Sequence, residues 1–347
     1  MVRFKFKKGP CFLAVLSLFC SISSTCNHDP CRGINSKNTT ATIMHCVQSG
    51  PKENILAIPE VRDYLSRHKV YISLTTSPQR ITKILPVLQT LDLELVTNIL
   101  LVLPMKFSRD NSSYLIPYEI ESFSEKLKIL RIETDLGPIT KLLPAIVYVN
   151  NTPENQEAKI KFLDTIQNPE SPDPKAIVIT IDDDTAYYHG SISQLIKYAI
   201  LKDAVVGGNG KDLSIFNLER AYWPEKIEPQ PKCRTTDVSN CDLIEGWAAI
   251  AYKAGYVDVK LMKDLNALGK YCKSADDLVI SFVLASHKPR PILKFMISND
   301  YIYAPVQFYF GFEEDALHRG AGSGSQSSQA HNQNYPLCLK EINNKNS

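Results

Sequence analysis

The apolar positions of this chain fall into short runs of two kinds. Val70-Tyr-Ile-Ser-Leu-Thr75, Asn98 to Pro104, Leu127 to Ile132 and Ala176 to Ile181 are dense in apolar and β-branched residues. The last of them, nearly all apolar, reads as a strand buried on both faces, as in a parallel sheet, and the other three read as strands beside it. After the first run, Pro78 opens a helix with Ile81, Ile84, Leu85, Leu88 and Leu91 on one face. Strand-helix-strand alternation of this kind predicts an α/β domain. Later segments continue it. The pattern predicts a helix over Glu154 to Ile166, a helix to Leu201 capped by Ser191, and a short strand at Val205 and Val206. It also predicts a strand over Ile244 to Tyr252, a helix opening at Ser274-Ala-Asp-Asp277, and a last strand over Arg290 to Ile297. Residues 26–66 are polar and weakly patterned, and read as a stem with little structure of its own. Residues 207–244 read as loop-rich, and the Gly/Ser/Gln-rich stretch after Gly320 as mobile.

Composition changes the picture mainly at the N-terminus. Arg3, Lys5, Lys7 and Lys8 precede an apolar run, Cys11 to Ile22, and then Ser23, Ser24 and Thr25. That is the layout of a secretory signal peptide over residues 1–25, with a retained signal anchor as the alternative. The expected location is the secretory lumen or outside the cell, or tethered to the membrane by that anchor. No later stretch is long enough to span a membrane. The 347-residue chain is 44% hydrophobic with a net charge of +2, and losing those four charges makes it −2. No basic excess remains for nucleic acid. Seven cysteines lie beyond residue 25, an odd number, in a setting that permits disulfides. Cys233 and Cys241 are close enough to close a small loop. Asn38, Asn111 and Asn150 sit in glycosylation sequons.

Candidate chemistry centres on the end of the fourth run, Ile181-Asp-Asp-Asp-Thr185. Alternation along a strand would point Asp182 and Asp184 one way and Asp183 the other. Two carboxylates on one side repel unless a cation sits between them, and oxygen ligands suit Mg²⁺ or Mn²⁺. Open α/β sheets bind ligands beyond the carboxyl ends of their strands, where this triplet lies. An acidic, solvated turn is the plainer reading. Upstream, Thr134-Asp-Leu-Gly-Pro-Ile-Thr-Lys141 opens a helix whose free N–H groups can hold phosphate, with Lys141 one turn in. Its plainer reading is a loop-to-helix entry with a surface lysine. Gly246, early in its strand, marks a close backbone approach. Ser274-x-x-Asp277 has the form of a capping box.

Taken in order, Asp135-Leu-Gly-Pro-Ile-Thr-Lys141, Ile181-Asp-Asp-Asp-Thr-Ala-Tyr187, Ile244-Glu-Gly-Trp247 and Cys272-Lys-Ser-Ala-Asp-Asp-Leu278 resemble the GT-A-fold glycosyltransferases, specifically the family 2-like group. The resemblance runs from Val70 to Cys338. It implies a Rossmann-like mixed, mostly parallel sheet flanked by helices in a single catalytic domain over 67–340, with a tail at 341–347. Asp182, Asp184 and His318 are then similar to the family's ligands for Mn²⁺ or Mg²⁺. Thr76, Arg80, Asp135, Lys141, Asp183 and Arg319 lie where the family contacts the nucleotide sugar. Asp277, with Asp276 beside it, looks like the catalytic base, and Glu245, Gly246 and Trp247 like the acceptor-side loop. The second strand ends Val102-Leu-Pro104, where the family commonly has an acid that holds the nucleotide. The expected partners are a nucleotide-sugar donor, a UDP-sugar for preference, and a glycan, protein or small-molecule acceptor. Two other readings stay open: a metal-dependent phosphohydrolase of a nucleotide, and a non-catalytic secreted carbohydrate-binding relative. No Gly-x-x-x-x-Gly-Lys-Ser/Thr loop supports NTPase chemistry.

Overall fold

A computed structural model of the protein describes residues 47–48, 53–163, 171–211, 238–297 and 329–345. Its strands are β1 (Val70–Leu74), β2 (Asn98–Pro104), β3 (Leu127–Ile132), β4 (Ile177–Thr180), β5 (Val205–Lys211), β6 (Ser239–Asn240), β7 (Leu243–Lys253) and β8 (Lys294–Met296). They form one sheet in the order β3-β2-β1-β4-β7-β5-β8-β6. β1 to β4 are mutually parallel, as are β5 and β8. β7 runs antiparallel to both β4 and β5, and β6 antiparallel to β8. The architecture is therefore the expected α/β one, a mixed and mostly parallel sheet flanked by helices.

Alternation along the strands splits the core in two. Tyr71, Leu100, Val102, Val178, Ile250 and Tyr252 face one layer of helices: Leu143–Val149, Val259–Asn266, Asp276–Ser286 and Gln329–Lys345. Ile72, Leu74, Ile99, Leu101, Ile177 and Ile179 face the other: Pro59–Arg67, Leu85–Gln89 and Ser191–Leu201. Ile72, Leu74, Ile99, Leu101 and Ile179 are fully buried, each contributing about 1.5–3 kcal/mol of transfer free energy. Among the described residues no helix is long and apolar enough to cross a membrane.

Several local expectations need correction. The supposed stem is structured from residue 53 onward: Ile55 and Val61 are buried, and the Gln194 side chain donates to Glu53. The helix after Pro78 breaks into a 3-10 turn, Ile81–Lys83, and a short α-helix, Leu85–Gln89, with Pro86 in its first turn. The helix foreseen at Glu154 covers only Pro153–Gln156. Lys159 takes a positive φ of 52°, and Phe162 bridges to Ile132 instead. The Ser191–Leu201 helix starts on Gly190, at φ 89°, so Ser191 is its first residue and not its cap. The last strand shrinks to Lys294–Met296, behind Pro289 and Pro291, which lack N–H donors. The Gln329–Lys345 helix extends past the foreseen boundary at 340, and its Ile342 is fully buried. Asn150 is buried, which removes it as a glycan acceptor in the folded chain, whereas Asn111 is exposed. Cys233 and Asn38 lie outside the described residues. Cys241 is a free, buried thiol that burial pushes up to about 12, and Cys272 pairs with Cys338.

Candidate active site

β1 and β4 are neighbours in the middle of the sheet, so the segments that leave their carboxyl ends start side by side. Thr76 and Arg80 follow β1, and the three aspartates follow β4. Regular pairing stops at Thr180 and the chain turns at Asp183-Asp184. Strict alternation therefore ends before the triplet. The turn is fixed from below by Tyr187, fully buried, whose hydroxyl accepts the Asp182 N–H at 3.0 Å.

The carboxylates are distributed differently from the strand-based expectation. Thr76 Oγ1 donates to Asp183 Oδ2 at 2.5 Å. Arg80 bridges the next two residues, with Nη1 at 3.1 Å from Asp183 Oδ1 and Nη2 at 2.7 Å from Asp184 Oδ2. Asp182 pairs instead with Lys141, Nζ to Oδ1 at 2.5 Å. Burial would lower the Lys141 ammonium, but the charges of Asp182 and Asp276 hold it above the ordinary lysine value. Lys141 is thus an interior cation and not a surface lysine. Asp183 is pushed up to about 7 by burial, partly offset by Arg80. Asp184 is raised by burial and then by the charge of Asp182, so these two carboxylates do repel each other.

The opposite wall comes from β7. Because β7 is antiparallel to β4, its early residues lie beside the end of β4, where Thr180 pairs with Ile250. Against β5, pairing jumps from Asn209↔Glu245 to Gly207↔Ile250, and Ala249 takes a φ of 64°. Residues 246–249 form this bulge, and such irregularities re-aim a strand locally. A Cβ on Gly246 would meet Asp277 Oδ1 at 3.2 Å and Lys141 Nζ at 3.3 Å. The backbone approach foreseen at this glycine is therefore made to the carboxylate and ammonium themselves. Gly246 N–H donates to Asp277 Oδ1 at 2.8 Å, and the Tyr335 hydroxyl donates to Asp277 Oδ2 at 3.1 Å. Glu245 is buried and accepts from the Asn209 side chain.

The capping box does not form. Ser274 Oγ donates back to the Lys270 and Tyr271 carbonyls, at 2.9 and 3.2 Å, and the Asp276–Ser286 helix has no side-chain cap. Asp276 is buried and pushed up to about 7 by burial, then by the charge of Asp277, with Lys141 acting against both. Asp277 is only partly buried and is the more accessible of the pair.

Asp135 serves its own loop. Its Oδ1 accepts the Gly137 N–H and its Oδ2 the Ser108 N–H, both at 2.8 Å, while Leu136 N–H donates to Thr140 Oγ1. Two of the N–H groups foreseen for phosphate are thereby engaged. Gly137 needs its φ of 73° for this turn, a conformation glycine adopts without strain. His318, Arg319 and the Trp247 side chain lie outside the described residues. Thr76, Arg80, Lys141, Asp182, Asp183, Asp184, Gly246, Asp276 and Asp277 share one neighbourhood. Tyr335 belongs to it and was not foreseen. Its signal was the spacing Tyr335, Cys338 and Ile342, one face of a helix, interrupted by Pro336.

Whether a divalent cation suits this neighbourhood follows from its charge. Among the described residues, five carboxylates (Asp182, Asp183, Asp184, Asp276 and Asp277) face Lys141 and Arg80, and burial with mutual repulsion raises Asp183, Asp184 and Asp276. Within the triplet, the Asp182 and Asp184 side chains keep 26% and 19% exposure against 9% for Asp183, so a cation has access to the first two. No three His, Cys, Asp or Glu side chains among the described residues gather as a complete metal site. One or two carboxylates completed by substrate phosphate and water are what Mg²⁺ usually takes. The residues present fit Mn²⁺ or Mg²⁺ on those terms. In comparisons with known proteins, no family model matches the chain and no curated protein matches it.

Proposed function

We propose that this protein is a GT-A-like glycosyltransferase that moves a sugar from a nucleotide-sugar donor to an acceptor hydroxyl, using Mn²⁺ or Mg²⁺. The observation that carries the reading is the meeting of Asp182 with Asp277 across Lys141, at the carboxyl ends of parallel strands, with Asp184 next along the same turn. A transferase of this kind needs a charge-bearing donor side and a base on the acceptor side, held a short way apart. Asp182 and Asp184 would hold the ion, which when bound offsets the donor's diphosphate charge. Arg80 and Thr76 keep Asp183 and Asp184 in place. Lys141 holds Asp182 from the interior. Asp277 takes the proton from the acceptor hydroxyl as the oxygen attacks the sugar carbon and the diphosphate leaves. The Cys272–Cys338 bridge suits an oxidising lumen, where glycan or protein acceptors are met.

Calorimetry with a panel of nucleoside-diphosphate sugars, each with and without Mn²⁺, tests the reading. Expected are cation-dependent binding of at least one donor, its loss in Asp184→Ala, and nucleoside diphosphate release that rises with an acceptor glycan. Donor-independent phosphate release would replace the transferase by a phosphohydrolase. Sugar binding with no donor binding would leave a carbohydrate-binding module.

A further inference from the structure

The C-terminal helix contributes a side chain that the reaction as described does not use. Tyr335 is buried, and its hydroxyl donates to Asp277 Oδ2 at 3.1 Å. Burial and then the Asp277 charge raise this phenol well above its ordinary value, so it stays a donor at any working pH. The other oxygen, Oδ1, takes the Gly246 N–H at 2.8 Å. A carboxylate on a short aspartate stem has one soft torsion at its end. Two donors from two directions, one on the bulge of β7 and one on the C-terminal helix, set that torsion.

The helix itself is held in register. Tyr335, Cys338 and Ile342 are the buried positions of one helical face, at i, i+3 and i+7. Cys338 is bonded to Cys272, in the short helix just ahead of the one that carries Asp277. A covalent link therefore joins the segment bearing the carboxylate to the segment bearing its donor, one helical turn from Tyr335.

We propose that Tyr335 is a positioning residue for Asp277: its hydroxyl fixes the carboxylate plane so that the remaining lone pairs are presented to the acceptor hydroxyl. The proposal rests on the reading of Asp277 as the base. It concerns the aim of that base and not its identity.

Tyr335→Phe keeps the ring and removes only the hydroxyl, so the full-length variant tests it. Two measurements are made on it. The first needs no substrate: amide hydrogen exchange at Gly246, with Ile244, whose N–H donates to Ser281 Oγ at 3.1 Å, as the internal control on the same strand. Faster exchange at Gly246 with Ile244 unchanged is expected, because the carboxylate has lost one of its two anchors. The second is steady-state kinetics: kcat falls about tenfold or more, as for loss of a hydrogen bond to a charged group, while donor affinity holds. Unchanged exchange at Gly246 overturns the proposal whatever the activity. So does faster exchange with an undiminished kcat. If wild-type protein turns over no donor, the transferase reading fails, and the exchange measurement alone decides whether Tyr335 orders Asp277.

Discussion

Asp276 and Asp277 are adjacent in sequence and opposite in circumstance. Asp277 is partly exposed and carries two neutral hydrogen-bond donors, whereas Asp276 is buried against Lys141. The two should therefore fail differently. Asp277→Asn keeps the size of the side chain and removes the proposed base, so turnover should fall about 10²–10⁴-fold with donor affinity near normal. Near-normal turnover at saturating acceptor would remove Asp277 from the chemistry. Asp276→Asn should instead show itself in stability. The folded-state value of about 7 lies above the ordinary aspartate range, so the folded protein binds the extra proton between about 4 and 7. Stability from this group is full below that window and is lost as pH rises through it. Urea unfolding in chelator at pH 4.5 and 7.5 should show wild-type protein losing stability relative to Asp276→Asn, by an amount on the order of a few kcal/mol. An identical pH response in both proteins would contradict the burial of an ionised Asp276. Which of the two carboxylates is hidden could not be read from the string Ser-Ala-Asp-Asp. The capping-box pattern fits Ser274 and Asp277 equally well on paper, and it loses because Ser274 turns back to the Lys270 and Tyr271 carbonyls.

Among elements, β7 does the most to shape the site. Of its eleven residues, Leu243–Lys253, the stretch Ile244 to Tyr252 was legible as a strand, and so was the unusual placing of Gly246 within it. The bulge was not, because it depends on what β5 does: Asn209 and Gly207 must meet Glu245 and Ile250 with four residues of β7 between them. Alternation likewise failed at Asp182-Asp183-Asp184 because the strand ends two residues earlier, at Thr180. The element-level test is Gly246→Ala. The added Cβ would lie 3.2 Å from Asp277 Oδ1 and 3.3 Å from Lys141 Nζ, tighter than ordinary contact, and both groups are hydrogen-bonded where they stand. Overpacking of this kind costs typically about 1–3 kcal/mol. Gly246→Ala should lose stability in that range and lose turnover, since the displaced groups are the proposed base Asp277 and the Lys141 partner of Asp182. An alanine variant as stable and as active as wild type would show that the bulge yields freely and that its close approach is not a constraint.

At the scale of the whole molecule, the parallel half of the sheet was read almost to the residue, because β1, β2 and β4 are buried along their length and announce themselves by composition, and the partly exposed edge strand β3 still sets its charged residues between apolar ones. The C-terminal part was not, because its helix is defined by what it packs on. Gln329–Lys345 is rich in Asn, Gln and Lys, contains Pro336, and among its described side chains buries three, Tyr335, Cys338 and Ile342. Its place is specified by the bond between Cys272 and Cys338, which closes a loop of sequence separation 66. Closing a loop of that length restricts the unfolded chain, and native disulfides typically contribute about 2–4 kcal/mol. With an unfolding entropy near 2 cal/mol/K per residue, that corresponds to a loss of about 3–6 °C in Tm for a domain of this size. A full-length Cys272→Ser/Cys338→Ser variant should melt lower by that margin than oxidised wild type, which isolates this bond from any other cysteine pair. It should also exchange faster at Gly246, because the helix that carries Tyr335 is then held by packing alone. A double variant with unchanged Tm and unchanged exchange would mean that burial of Tyr335 and Ile342 suffices to dock the helix, and that the covalent bond plays no part in building the site.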